Sequence, residues 1–127
     1  MAKYLHSDVL NGGLLALKNN ATKMCLANAY SLGDSYATFM THVICTVNIG
    51  PSDLTISGVD AGPLILTSAI KSQAAVLGSG PTPDLVVGFT NGVDKIYWVT
   101  DETANAVIAS GNTINFPAFA LVFDQPV

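Results

Sequence analysis

Two histidines, two cysteines, one glutamate and eight aspartates are the residues from which this chain could build acid–base, nucleophilic or metal chemistry. Cys25, His42 and Cys45, with His6 as a fourth ligand, come closest to a zinc set, because thiolate and imidazole are the usual donors of tetrahedral zinc. The spacing argues against it. Successive side chains of a strand point to opposite faces, so His42 and Cys45 diverge unless a bulge lies between them. The expectation is no metal, with both cysteines as buried thiols and His42 as a polar strand position. A Cys25–Cys45 disulfide is geometrically open if their strands are neighbours, but a reducing compartment disfavours it.

Other chemistry is equally thin. There is no Gly-x-Ser-x-Gly elbow to present a serine nucleophile, and Gly78-Ser79-Gly80-Pro81 lacks the lysine that would make it a phosphate loop. Asp53 with Asp60, and Asp94 with Asp101, could pair as carboxylates, yet each lies in a turn segment where aspartate commonly bonds its own backbone. The chain has no arginine, and Lys3, Lys18, Lys23, Lys71 and Lys95 are scattered singly against a net charge of −4. Binding to nucleic acid needs clustered cations, and phosphoryl transfer leans on arginine, so both classes are set aside. The expectation is a protein that is not an enzyme and uses no cofactor.

The background to this scarcity is the composition. Of 127 residues, 50% are hydrophobic and 11% charged, against about 25% charged in an average soluble domain. A globule of this mass has about 6,400 Å² of surface, which leaves roughly one charge per 460 Å², half the normal density. No apolar run approaches the ~20 residues of a spanning helix, so no membrane span is expected. The first eight residues carry one lysine followed by polar residues rather than an apolar signal core, which points to a chain made and kept inside a cell. The length fits one domain, residues 1–127, divided into an N-terminal arm and helix (1–20) and a β domain (21–127).

The elements that would position these residues are mostly strands. Ser7 and Asp8 look like a cap and acidic first turn, and Val9, Leu10, Leu14 and Leu17 recur at helical spacing, which predicts a helix from about Asp8 to Asn19 despite Gly12-Gly13. Beyond Asn20 the pattern is short β segments: Lys23 to Ala29, Met40 to Ile49, Leu54 to Val59, Leu64 to Ile70, Leu85 to Thr90, Lys95 to Thr100, Ala106 to Ala109 and Ala118 to Phe123. Gly, Pro, Asn and Asp clusters separate them. Asn91-Gly92 tolerates the positive φ of a tight hairpin and should pair Leu85–Thr90 with Lys95–Thr100. Ala106–Ala109 is then expected against Tyr97–Thr100. The last segment is apolar on both faces, as in a central strand or one with its outer face covered. The fold class predicted is mainly β: an antiparallel β-sandwich or jelly-roll-like barrel of about eight strands with one N-terminal helix.

Aromatic residues offer contacts rather than catalysis. Tyr97 and Trp98 are adjacent, so one should face the core and the other outward, where it could anchor an interface. Phe116-Pro117 with Phe119 is a second candidate.

The ends of the chain carry a resemblance. Met1-Ala2-Lys3-Tyr4-Leu5-His6-Ser7-Asp8-Val9-Leu10, followed by Leu14, Leu17 and Lys18, resembles the start of a group of small virion structural proteins of tailed bacteriophages. Ala109-Ser110-Gly111-Asn112-Thr113-Ile114-Asn115-Phe116-Pro117-Ala118-Phe119 and the closing Asp124-Gln125-Pro126-Val127 are similar to the same group's C-terminus, as is the hairpin from Ile96 to Asp101 and on to Val107. From Thr46 to Pro83 the likeness is one of β-rich texture alone. The resemblance implies a capsid decoration, or cement, protein that binds the outside of the major capsid protein shell, assembles as a homo-oligomer (dimer or trimer), and resides in the virion after synthesis in the host bacterial cytoplasm. Tyr4 and Leu5 in the leading arm, Tyr97, Trp98 and Phe116 are the expected contact residues. The alternatives are a tail or head-to-tail junction protein, or a bacterial enzyme or ligand-binding domain using His42 and nearby aspartates.

Overall fold

A computed structural model describes residues 4, 6–81, 83–101 and 107–125, without the side chains of Ser7 and Leu10. Helix α1 spans Ser7–Asn20, one residue longer at each end than the periodicity predicts. Its cap is His6 rather than Ser7: the His6 Nδ1 accepts the Asp8 N–H at 3.0 Å. Gly12-Gly13 does not split the helix. At Gly13 the missing side chain has a use, since a Cβ there would lie 2.8 Å from the ring of Phe123. The buried Leu14 and Leu17 belong to the main core, so arm-side helix and β region share one apolar cluster.

Among the described residues, nine strands form three antiparallel sheets. The largest orders β2 (Val43–Asn48), β1 (Lys23–Ala27), β6 (Val86–Thr90) and β7 (Ile96–Asp101). A second orders β3 (Leu54–Gly58), β4 (Leu64–Ser68) and β9 (Ala120–Phe123), and a third pairs β5 (Lys71–Ala74) with β8 (Thr113–Phe116). The mainly β class is therefore correct, and of the two architectures expected the barrel is not formed, because the sheets do not close.

The four-stranded sheet is covered on both faces along its inner strands β1 and β6. Met24, Leu26, Cys45, Val47, Val87 and Phe89 face the main core, where they meet Leu54 and Leu66 of the second sheet and Phe116 of the third. Cys25, Ala27, Val43 and Val86 face the other way, under Phe39. Phe39 belongs to a short helix, α2 (Tyr36–Thr41), capped by Ser35, whose Oγ accepts the Thr38 N–H. Its ring lies directly over Gly88 in the middle of β6.

The Asn91-Gly92 hairpin forms as expected: Gly92 has φ 75°, and the Asn91 Oδ1 accepts the N–H groups of Val93, Asp94 and Lys95. Elsewhere the strand expectations need correction. Met40 and Thr41 end α2 and His42 is its C-cap, so β2 starts only at Val43. Leu64 to Ile70 is not one strand: β4 stops at Ser68, the Ala69 N–H bonds the Asp53 carbonyl, and β5 begins at Lys71. Of the segment expected against Tyr97–Thr100, Ala106 lies outside the described residues and 107–109 are not a strand. Ile108 instead exchanges hydrogen bonds with Ser79, at 2.8 Å through its carbonyl and 2.7 Å through its N–H. Nor is β9 central. It is an edge strand whose Leu121 and Phe123 pack inward while Ala120 and Val122 remain exposed.

Candidate contact surface

The residues with chemical potential are dispersed. Cys25 sits opposite Thr46, and Cys45 opposite Leu26, in the β1–β2 register. Their strands are neighbours, but the cysteines are one residue out of phase, so they face opposite sides of the sheet and both are free. The disulfide is thus ruled out by phase rather than by distance along the chain. Burial pushes both thiols above the ordinary cysteine range. Among the described residues no group of three or more His, Cys, Asp and Glu could hold a metal ion.

The aspartates do structural duty. Asp53 accepts the Gly50 N–H at 2.9 Å and pairs with Lys71 at 2.9 Å, which hold its carboxyl below the ordinary carboxylate range. Asp94 accepts the Asn91 side-chain amide at 2.8 Å. Asp94 and Asp101 flank opposite ends of β7 and form no pair.

The expected contact residues divide. Tyr4 is 55% exposed, and its hydroxyl donates to the Asp60 carboxylate at 2.7 Å, tying the arm to the β3–β4 turn. The same carboxylate pushes the tyrosine hydroxyl pKa up, chiefly through that hydrogen bond. Leu5 lies outside the described residues. Phe116 is a correction: at 1% exposure its ring belongs to the core and also backs a cleft of about 390 Å³ between Leu26, Leu85, Ile108 and β8. Its neighbour Pro117 is the exposed member of that pair.

Tyr97 and Trp98 also depart from expectation. The β6–β7 register slips between Phe89 and Thr90, leaving Tyr97 as an extra residue. Such a bulge interrupts the alternation of faces. Both side chains consequently pack against the main core, and both remain partly exposed. Trp98 stacks on Phe89 with ring centres 4.8 Å apart and planes 16° from parallel.

What sequence reasoning missed lies beside them. Leu32 is 97% exposed at the tip of a turn in which the Ser31 N–H bonds the Asp34 carboxylate and the Asp34 N–H bonds the Ser31 carbonyl. Gly33, at φ 95°, allows that turn. Tyr30, Leu32, Asp34 and residues Ile96 to Val99 line a second cleft, of about 370 Å³. The signal was the polar Ser-x-Gly-Asp turn around a single leucine, whose burial against a partner would be favourable. Val9, Val59, Ile70, Val76 and Val93 are likewise each more than half exposed.

Among the described residues no helix is long and apolar enough to cross a membrane. Comparison with protein-family models, with curated proteins and with solved structures gives no match.

Proposed function

We propose that the chain is a non-enzymatic virion structural protein of a tailed bacteriophage, a capsid decoration protein that binds the outer surface of the major capsid protein shell and stabilises it. The phage assignment rests on the resemblance of the chain's two ends and its segment from Ile96 to Val107 to that group. The single structural observation that carries the assembly role is the exposed apolar population, with Leu32 at 97%, on a surface poor in charge. In a lattice the same side chains become contacts, and many weak contacts add through multivalency. Affinity comes from buried area rather than from catalysis, metal or nucleic acid. The protein is then made in the host cytoplasm and resides on the capsid.

The test is to mix the purified chain with major capsid protein shells assembled without it and to image them. Density distributed over the shell, with shells that withstand more heat or chelator, supports the reading. Density confined to a vertex or tail, or shells that neither bind the chain nor gain stability, refutes it.

A further inference from the structure

The chain contains the same reactive dipeptide twice, as Asn11-Gly12 and as Asn91-Gly92. An asparagine before glycine can lose its side-chain nitrogen, because no Cβ on the glycine obstructs the approach of its backbone nitrogen to the side-chain carbonyl carbon. The fold puts the two pairs in opposite settings. Asn11 and Gly12 lie inside α1, where each backbone N–H is committed to the carbonyl four residues back. Among the described residues the Asn11 Oδ1 has no hydrogen-bond partner, so no donor stabilises charge on it.

At the hairpin the opposite holds. The Asn91 Oδ1 accepts the N–H groups of Val93, Asp94 and Lys95 at 2.9, 2.9 and 3.0 Å. Backbone donors converging on one carbonyl oxygen make an oxyanion hole, which stabilises the negative charge that gathers there when a nucleophile adds to the carbonyl carbon. The nucleophile is the next residue in the chain. Gly92, exposed and at φ 75°, turns its N–H to the Thr90 hydroxyl at 3.1 Å rather than to a backbone carbonyl. On the leaving side the Asp94 carboxylate accepts from the Asn91 Nδ2 at 2.8 Å, the distance at which a carboxylate can carry a proton.

We propose that Asn91 is a modification site, deamidating spontaneously in the folded hairpin through attack of the Gly92 nitrogen on its side-chain carbonyl carbon. The Gly92 N–Cγ bond forms and the Cγ–Nδ2 bond breaks. Nδ2 departs as ammonia, and the proton it gains replaces the one that the Gly92 nitrogen gives up to the Thr90 hydroxyl and water. A water molecule then opens the cyclic imide at either carbonyl, leaving aspartate or isoaspartate at residue 91. Aspartate sets a carboxylate against Asp94 where the two side chains now bond. Isoaspartate adds a carbon to the main chain at the residue whose side chain fixes the turn. Either product loosens the entry to β7, and with it Tyr97 and Trp98. This chemistry belongs to the purified chain and does not depend on any shell.

The experiment ages the full chain at mildly alkaline pH, folded in buffer and unfolded in guanidinium chloride. Samples are digested and mapped by mass spectrometry, with isoaspartate marked by an isoaspartyl methyltransferase. In the folded protein Asn91 should convert at least about ten-fold faster than Asn11, since an oxyanion hole acts on one and not on the other. In guanidinium chloride the two sites should converge, and Asn91 should react more slowly than in the fold. That second comparison isolates the hairpin geometry, because a reaction that waited for local opening could not outrun the unfolded chain. A folded-state rate at Asn91 no higher than its unfolded rate, or no higher than that of Asn11, overturns the proposal.

Discussion

Gly88 offers the sharpest test of how the sheet and α2 fit together. A Cβ at this position would lie 2.5 Å from Cζ and 2.8 Å from Cε2 of Phe39, where carbon atoms at rest sit about 3.5 to 4.0 Å apart. The ring must therefore withdraw by roughly 1 Å or more to restore contact distance. It has nowhere to go: Phe39 is fully buried and meets Tyr30 edge-on at 6.0 Å. Overpacking of this kind costs about 1–3 kcal/mol, and replacing a strand glycine returns about 0.5–1 kcal/mol of backbone entropy. Gly88→Ala should thus lose about 1–2 kcal/mol, a fall in Tm of roughly 3–8 °C for a domain of this size. Phe39→Ala alone should cost about 3–5 kcal/mol through the void it leaves. In that background the new methyl enters the void, so Gly88→Ala should be neutral or stabilising, a coupling of about 1–3 kcal/mol. Urea unfolding of the four proteins, followed by circular dichroism and by Trp98 fluorescence, measures the cycle. A Gly88→Ala variant as stable as the wild type, or equally costly with and without the Phe39 ring, would falsify the packing argument.

Three further outcomes follow from particular contacts. Asn91→Ala removes an acceptor that serves three backbone N–H groups and should destabilise the hairpin by about 1–2 kcal/mol, seen as a lower urea midpoint; an unchanged midpoint contradicts that role. Lys71 and the Gly50 N–H lower the Asp53 pKa in the folded state, so its contribution is fully present above the ordinary value of about 3.9 and is lost as pH falls through the lower folded value. The stability gap between wild type and Asp53→Asn should accordingly close on acidification below pH 4, and a gap constant from pH 7 to pH 2 refutes the assignment. Cys25 and Cys45, buried and with raised pKa values, should resist a thiol reagent at pH 8 in the native protein, and both should react in denaturant without prior reduction; a thiol consumed only after reduction would point to the disulfide excluded above.

The two hairpin strands and their turn were legible because the determinants are local. Asn91 and Gly92 meet a backbone requirement within four residues, and Val86–Thr90, apolar up to Phe89, is buried along its whole length. The helix was legible from its apolar period, and Gly13 within it became intelligible only against Phe123, a residue over a hundred positions away. Segments set by distant partners were misjudged. Met40 and Thr41 read as the start of a strand, yet they end the helix Tyr36–Thr41, whose buried Phe39 ring covers Gly88 across the chain. Lys71–Ala74 and Thr113–Phe116 are too short and polar to declare themselves and become strands through mutual pairing. The contact surface followed the same rule. Tyr4 was located correctly on the exterior, Phe116 was not, and the shared orientation of Tyr97 and Trp98 depended on a one-residue slip against β6 that no spacing rule announces.

Sequence alone determined the class of the molecule. Few charges, no arginine, dispersed acids and thiols, and short β segments between turn residues are sums and local patterns, and they limit chemistry whatever the fold. Tertiary structure decided which side of each strand meets what. One residue of phase separates Cys25 from Cys45, a one-residue slip turns Tyr97 to the core side with Trp98, and the order of pairing leaves β7 at the margin of its sheet. Those outcomes depend on pairings between residues far apart in the chain, whose side-chain period of two makes a single step the difference between core and surface.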